Sequence, residues 1–483
     1  SEFLLGGRNI GAWMSAFAYG TTYFSAVIFI GYAGKTGWQI GIGGIWIGIG
    51  NALLGSLLAW KLLAKRTRSM THRLNASTMP EFFQARYLSR NMKILAALII
   101  FVFLLPYSAS VYMGLGYLFS AVFPHVSYIY CMLFIAVLTA AYLITGGYVA
   151  TALTDFIQGI IMIAGVILMV ACIVTNPAVG GLSAGFEKLR ALEGGTGLVN
   201  LFGGKNWFSL VSMIMLTSFG AWGLPQMVHK FYAIRDEKSI NKAMVISTAF
   251  AAIIGIGAYF VGTFGRLFLN NTLPKEGYDK IVPDMLVAAF SKGILSNVLL
   301  SVILILVLSA SMSTLAALVL TSSSAISVDL LGELKYDVDK KKQMVLMRFL
   351  CLIFIALSFL FASFKVSFII ALMSFSWGTV AGCFIGPYIW GLYWKGTTKA
   401  GAWAGMAAGF LTVSALVAVS TAAKGFAYAT SKSPLFGTAA MLVSVTVVPL
   451  VSLLTKKYDK KHLDFVFGEK TGEAKAGAKI KAS

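Results

Sequence analysis

Long apolar stretches separated by short polar gaps dominate this chain. Twelve of them come close to or exceed the roughly 20 apolar residues that a helix needs to cross a bilayer. They cover residues 10–34, 40–63, 93–123, 128–145, 150–175, 206–225, 243–268, 297–326, 344–363, 367–392, 399–423 and 436–455. The gaps leave no room for a soluble domain, so the pattern predicts one all-α membrane domain with about 12 transmembrane helices.

Composition agrees with this architecture, since 58% of the residues are hydrophobic and only 12% are charged. The transmembrane domain is predicted to occupy residues 1–455. Residues 456–483 form a basic tail, and its content of Lys, Ala and Gly predicts disorder. The chain opens without Met, close to the first apolar stretch, which suggests that a further segment precedes residue 1.

The net charge of +21 would also suit a nucleic-acid-binding protein, but its distribution argues against that class. When successive loops are assigned alternately to the two sides of the membrane, one side holds 28 of the 39 Lys and Arg residues and the other holds 11. This is the positive-inside pattern, which predicts a plasma-membrane or inner-membrane protein with the C-terminus in the cytoplasm. The basic tracts 65–68 and 340–342 are expected to meet anionic membrane lipids.

Residue types that carry enzymatic chemistry are scarce and scattered. The four cysteines, Cys131, Cys172, Cys351 and Cys383, lie in predicted spans at unrelated spacing, and the four histidines form no cluster. The sequence lacks a glycine-rich phosphate loop followed by Lys and Ser or Thr, so it has no motif for ATP-driven pumping. We therefore expect no enzymatic activity, because a single Asp within the spans, without a partner, is a poor basis for catalysis.

The first ten spans divide into two sets of five, at residues 10–175 and 206–394, with residues 399–455 as accessory helices. Each set opens with a stretch interrupted by glycine, at residues 15–25 and 216–225. Transmembrane helices tolerate single glycines, but matched interruptions in two halves point to a transport site built from inverted repeats. An odd number of helices in each half requires the second half to be inverted.

Hydroxyl groups cluster within the eighth stretch, where Ser311, Ser313 and Thr314 interrupt an otherwise apolar run. Small hydroxyl residues often pack helices closely or bond back to their own backbone, which is the plainer interpretation. They can also supply oxygens to a hard cation at the middle of the membrane.

Backbone freed by the first interruption would add carbonyl oxygens at Thr21 and Phe24, and Ala310 could add a third. Together with the hydroxyls of Ser313 and Thr314, these make five uncharged oxygens, which suit a monovalent hard cation. Ca²⁺ or Mg²⁺ would normally require carboxylates.

Several motifs, taken in order along the whole chain, resemble those of the sodium:solute symporters, whose members carry proline, pantothenate, sugars or iodide. The matching segments are LGGR (5–8), TMPEFFQARY (78–87), TGGYVATALTDFIQ (145–158), ASMST (310–314), SSAISVDL (323–330) and GP…GLYWK (386–395). The resemblance implies the LeuT-like fold, a five-plus-five inverted repeat of ten core helices, here with two additional C-terminal helices. It also implies one further helix before the core.

The resemblance also implies a Na⁺ site made by the carbonyls of Thr21, Phe24 and Ala310 and the hydroxyls of Ser313 and Thr314. Some relatives bind a second sodium one turn further along the eighth core helix. The corresponding positions here are Ala316 and Ala317, which lack hydroxyls, so one Na⁺ per solute is favoured. A proton or Li⁺ in place of Na⁺ remains an alternative.

Asp155 is the only acidic residue well inside a predicted span. It could be a carboxylate at the cytoplasmic edge that caps the fifth helix. The family resemblance instead implies that Asp155 lies on the Na⁺ exit path, where its charge assists the leaving cation. Gln158, one turn away, could assist.

The solute is predicted to be an amino acid such as proline or a small carboxylate such as pantothenate. Tyr23, Tyr107, Phe219 and Trp222, aromatic residues of the first, third and sixth stretches, are the expected solute contacts, although such residues more often pack the core. Proline carriers of the family have an Asp where this chain has Tyr23. Alternatives are a sugar carrier, a transporter-like sensor and a channel, but a channel would require an open polar stripe or a repeated filter.

Overall fold

A computed structural model of the chain describes residues 2–145, 148–290, 293–333 and 340–468. Regular structure within these ranges is helical, apart from a β-bridge between Ile10 and Ile234. Among the described residues, nine single helices and two bent helix pairs are long and apolar enough to cross a membrane. The helix Tyr128–Thr145 has a shorter apolar stretch. Each predicted stretch therefore contains a helix, and the predicted all-α membrane architecture is confirmed.

We number these helices as spans 1 to 12 in chain order. Spans 1 and 6 are the bent pairs, Ala12–Tyr23 with Val27–Gln39 and Gly204–Gly223 with Pro225–Ala233. The others, in order, are Gly41–Arg73, Arg90–Val122, Tyr128–Thr145, Tyr148–Thr175, Glu237–Phe268, Ile294–Leu330, Lys340–Ser363, Ile369–Tyr393, Lys399–Lys424 and Ser433–Leu454.

Spans 1 and 6 break where the sequence places the interruptions, and they bend by 46° and 47°. In span 1, Phe24 has an extended backbone, with φ −114° and ψ 127°, and the helix restarts beyond it. In span 6, Leu224 is extended, with φ −90° and ψ 122°, and Pro225 begins the second half. Proline disfavours the helical conformation in the residue before it, which accounts for this break.

Span 7 packs closely against both halves of span 1. A Cβ on Gly37 would lie 1.9 Å from the carbonyl oxygen of Gly262, and one on Gly20 would lie 2.3 Å from the ring of Phe250. Only glycine leaves room for such approaches. Span 7 therefore supports span 1 on either side of its break.

Both described ends of the chain lie on one side of the bundle, which we call the terminal side. Arg8 Nη2 donates to the carbonyl oxygen of Ala76 at 2.6 Å, and Arg68 Nε donates to that of Ile234 at 2.8 Å. On the opposite side, Asn206 Nδ2 donates to the carbonyl oxygen of Gln39 at 2.9 Å. Arg68, expected at the lipid surface, thus also ties the end of span 2 to the segment that follows span 6.

The C-terminal segment departs from the predicted disorder. Lys460–Phe467 forms a helix on the terminal side, so the prediction is wrong for these residues. Arg73 Nη2 donates to the carbonyl oxygen of Val466 at 3.0 Å, and Tyr458 Oη donates to that of Tyr87 at 2.7 Å. Aromatic residues between the lysines allow this segment to pack against the bundle. The overall composition of the tail does not reveal this. The rest of the predicted disordered tail, residues 469–483, lies outside the described residues.

Ending the chain at Thr455 is expected to lower its thermal stability relative to ending it at Gly468. The shorter chain loses hydrogen bonds of Tyr458, His462 and Val466, each of which contributes about 1 kcal/mol. Melting temperatures of the two purified proteins in the same detergent check this expectation. Equal melting temperatures would contradict the docked helix.

Candidate functional site

The Thr314 hydroxyl, fully buried in span 8, lies among backbone carbonyl oxygens from two spans. Its Oγ1 is 3.2 Å from the carbonyl oxygens of Thr21, Thr22 and Ala310, and 3.5 Å from that of Phe24. A hydroxyl has one proton and can donate to only one of these acceptors at a time. The carbonyl oxygens therefore outnumber the protons that Thr314 can donate, as expected where a cation binds.

The break in span 1 explains why these carbonyl oxygens are available. The Thr22 carbonyl would normally accept from the amide of Ala26, four residues on, in a continuous helix. Ala26 N–H donates instead to Ser311 Oγ at 2.9 Å. Ser311 thus satisfies the amide where the helix restarts, and its own hydroxyl donates to the carbonyl oxygen of Val307 at 2.7 Å.

Ser313 extends the cluster of oxygens towards span 5. Its Oγ lies 2.7 Å from Thr21 Oγ1 and 2.6 Å from Asp155 Oδ1. Thr314 and the three predicted carbonyl groups therefore meet at the break in span 1, and Ser313 contacts the Thr21 side chain next to them, with Asp155 beside it. The Thr22 carbonyl was not predicted, because a sequence shows where a helix breaks but not which of the freed carbonyls turn inward.

Asp155 has a charged neighbour that the sequence did not reveal. Lys230 Nζ, in the second half of span 6, lies 4.0 Å from Asp155 Oδ2, and both residues are at most 4% exposed. Gln158 is also buried, one turn along span 5, and its Oε1 has no hydrogen-bond partner among the described residues. The expectation that Asp155 has no partner is wrong, because residues 226–233, predicted to belong to a cytoplasmic loop, lie in the buried helix Pro225–Ala233.

A cavity of about 40 Å³ extends from this cluster towards the terminal side. Ser313, Asp155 and Lys230 lie at one part of its wall, and Thr78 and Asp329 lie at another. Thr78 Oγ1 donates to Asp329 Oδ1 at 2.7 Å, and Lys93 Nζ lies 3.9 Å from the same oxygen. Ala316 and Ala317, where a second sodium would need hydroxyls, also line this cavity.

A second cavity, of about 20 Å³, lies next to the break on the other side of Phe24. Tyr23, Tyr107 and Trp377 line it, together with polar side chains that include Ser25 and Asn51. The Trp377 ring lies 6.0 Å from that of Tyr23 and 5.7 Å from that of Tyr107, between ring centroids. This volume holds about one water molecule, so the aromatic residues are closed against one another.

Two predicted solute contacts, Phe219 and Trp222, do not line this cavity. Their rings pack edge to face with centroids 5.1 Å apart, and Trp222 Nε1 donates to the carbonyl oxygen of Leu54 at 3.0 Å. Thr217 lines the cavity, and Gly220 faces the Trp377 ring. Residues three apart share a helix face, so Thr217 and Gly220 face inward, whereas Phe219 and Trp222 occupy the neighbouring face. Aromatic character alone does not reveal which face of the helix turns towards the cavity.

Comparison with known proteins agrees with the resemblance seen in the sequence. The profile of the sodium:solute symporter family matches residues 3–409. Sodium/proline symporters of Staphylococcus aureus, including that of strain JH9, are 29% identical over 465 residues, covering 95% of this chain and 88% of theirs.

Solved structures support the fold. A Na⁺-coupled sialic acid symporter in a substrate-bound, outward-open state superposes with a TM-score of 0.72 at 16% identity, over 95% of this chain and 93% of that one. Mhp1, a nucleobase-cation-symport-1 family transporter in a closed conformation with bromovinylhydantoin bound, gives a TM-score of 0.53 at 12% identity, over 96% and 97%. The LeuT-like fold and Na⁺ as the coupling ion are thus confirmed, and this multi-pass membrane protein, a Na⁺-coupled symporter of a small solute, belongs to the sodium:solute symporter family.

Proposed function

We propose that the coupling Na⁺ binds between spans 1 and 8, held by Thr21, Phe24, Ala310, Ser313 and Thr314. The observation that carries this proposal is the position of Thr314 Oγ1, within 3.5 Å of four carbonyl oxygens. An uncharged set of oxygens suits a monovalent ion, and the Thr22 carbonyl adds one more. Because the ligands come from two spans, the ion would hold these spans together.

Release is proposed to proceed past Asp155, with Gln158 close by, into the cavity that ends near Thr78 and Asp329. Asp155 is in direct contact with Ser313, which supports a path that starts at the ion site. The terminal side carries most of the Lys and Arg residues, which supports its assignment to the cytoplasm. The cell interior, negative and low in Na⁺, would then draw the ion out on this side.

For the solute we propose an amino acid such as proline or a small carboxylate such as pantothenate. The relatives named sodium/proline symporters support this size and class. Tyr23 and Tyr107 are proposed as contacts, with Trp377 replacing Phe219 and Trp222. The helix N-termini created by the two breaks could hold a carboxylate without a dedicated Arg.

Transport is proposed to follow alternating access, in which the ion and solute sites open in turn to the two sides of the membrane. If Na⁺ binding stabilises the state that binds solute, it raises the affinity for the solute. By linkage, bound solute raises the affinity for Na⁺ by the same factor. A membrane potential of 100 mV supplies about 2.3 kcal/mol per charge and a tenfold Na⁺ gradient about 1.4 kcal/mol, together about 3.7 kcal/mol. With one Na⁺ per neutral solute, this supports roughly 500-fold accumulation.

Reconstituted proteoliposomes test the proposed transport. Labelled proline, pantothenate, short monocarboxylates and glucose are each offered with an inward Na⁺ gradient and with choline in place of Na⁺. Uptake of proline or a small carboxylate that collapses in choline is expected and identifies the solute. Na⁺-dependent uptake of glucose alone would contradict the proposed solute class.

A further inference from the structure

One carboxylate, that of Asp155, lies between the proposed ion site and a buried lysine. Its Oδ1 is 2.6 Å from Ser313 Oγ, and its Oδ2 is 4.0 Å from Lys230 Nζ. Lys230 is 4% exposed and lines the same cavity as Asp155 and Ser313. A Na⁺ that leaves Ser313 for this cavity therefore meets a carboxylate that already has a cation beside it.

We propose that Lys230 is a tethered competitor of Na⁺ for Asp155, an inference that rests on the proposed Na⁺ site. A single carboxylate neutralises one positive charge, and two cations beside it in a poorly solvated cavity repel each other. While Na⁺ is bound, the Lys230 ammonium weakens the attraction between Asp155 and Na⁺. Once Na⁺ has left, the ammonium compensates Asp155, so the ion-free carrier retains no unpaired buried carboxylate.

The other charged groups of this cavity support Asp155 as the shared carboxylate. Asp329 accepts from Thr78 and has Lys93 3.9 Å away, a cation that it shares with Glu81 at 4.0 Å. His229 also lines the cavity, beside Lys230 in the chain. Among the described acidic residues that line it, Asp155 alone contacts a proposed Na⁺ ligand.

The placement of the three residues links this competition to conformation. Ser313 is on span 8, Asp155 on span 5 and Lys230 on the second half of span 6, beyond its bend. A movement of that half relative to span 5 changes the distance between the ammonium and the carboxylate. Lys230 thereby makes Na⁺ affinity depend on the position of span 6.

Equilibrium binding of ²²Na⁺ to purified protein in detergent tests the proposal without any solute. Lys230→Met is expected to lower the Kd for Na⁺ by about tenfold, because it removes the competing charge. Lys230→Arg, which keeps the charge, should remain close to wild type. In an Asp155→Asn background, Lys230→Met should no longer increase affinity, because the carboxylate charge for which the two cations compete is gone.

The effect of Na⁺ on the melting temperature provides a second measurement. A purely structural role of Lys230 would not change this effect. Lys230→Met leaves Asp155 unpaired, so the variant should melt lower than wild type in choline and gain more from Na⁺ than wild type does. Lys230→Gln, a polar replacement, provides the same comparison if the Met variant does not fold.

Failure of this inference can be distinguished from failure of the Na⁺ site. Unchanged or weaker Na⁺ binding in Lys230→Met and Lys230→Gln, while Thr314→Ala still weakens binding, would overturn the competitor role alone. An increase in affinity that persists in the Asp155→Asn background would also overturn it. Undiminished Na⁺ binding by Thr314→Ala would remove the site on which the inference rests.

Discussion

Replacing Thr314 with Ala is expected to raise the Na⁺ concentration for half-maximal uptake by at least about tenfold, which corresponds to about 1.4 kcal/mol of lost Na⁺ binding. The substitution removes the hydroxyl that lies among four carbonyl oxygens, and Ala cannot replace that oxygen. Ser313→Ala should act in the same direction, because its hydroxyl is a proposed Na⁺ ligand and contacts Asp155. Initial rates of solute uptake by proteoliposomes over a Na⁺ series provide the measurement.

Two matched variants separate the lost ligand from a general disturbance of span 8. Thr314→Ser keeps the hydroxyl and should retain most of the Na⁺ affinity. Ser322→Ala removes another buried hydroxyl of the same helix, one without a hydrogen-bond partner among the described residues, and should leave the Na⁺ dependence unchanged. A wild-type Na⁺ dependence in Thr314→Ala would show that the ion binds elsewhere.

Removing the Trp377 ring is expected to raise the KM for the solute by about tenfold or more, roughly the effect of losing an interaction of 1.4 kcal/mol. This ring packs between Tyr23 and Tyr107 and forms a wall of the second cavity, the one of about 20 Å³. Trp222→Ala is the matched control, because Trp222 is also a buried indole but contacts Leu54 and Phe219 and does not line this cavity. It should change the KM by less than about threefold.

Both tryptophan variants lose a large buried side chain, and such losses commonly destabilise a protein by about 3–5 kcal/mol. Comparing their KM values at similar amounts of folded protein therefore isolates the contribution of the solute site. A larger KM change for Trp222→Ala than for Trp377→Ala would restore the original assignment of the solute contacts to Phe219 and Trp222.

The positions of the spans and of both helix breaks could be predicted from the sequence because their causes are local. Apolar length determines where a helix can cross the membrane, and Pro225 requires the extended conformation of Leu224. The five oxygens of the proposed ion site could also be named from the sequence, since the hydroxyls of Ser313 and Thr314 stand out in an apolar run and the family resemblance pairs them with span 1; their role in binding Na⁺ stays a prediction.

Lys230 and Trp377 could not be identified in this way, because their roles depend on how distant helices rotate and pack. Lys230 lies in a stretch whose charges resemble those of a cytoplasmic loop, yet it is buried beside Asp155. Trp377 is one aromatic residue among many, and only the packing of span 10 against Gly220 turns its ring towards Tyr23. The helix Lys460–Phe467 was missed for a similar reason, since its partners are distant in sequence.

Equilibrium ²²Na⁺ binding to the purified wild-type protein, Thr314→Ala and Thr314→Ser tests the proposed ion site most directly, because it requires neither a known solute nor transport. We predict saturable binding of one Na⁺ to the wild type, similar binding to Thr314→Ser, and binding to Thr314→Ala weakened by at least about tenfold. Saturable binding that is the same in all three proteins would contradict a Na⁺ site between spans 1 and 8.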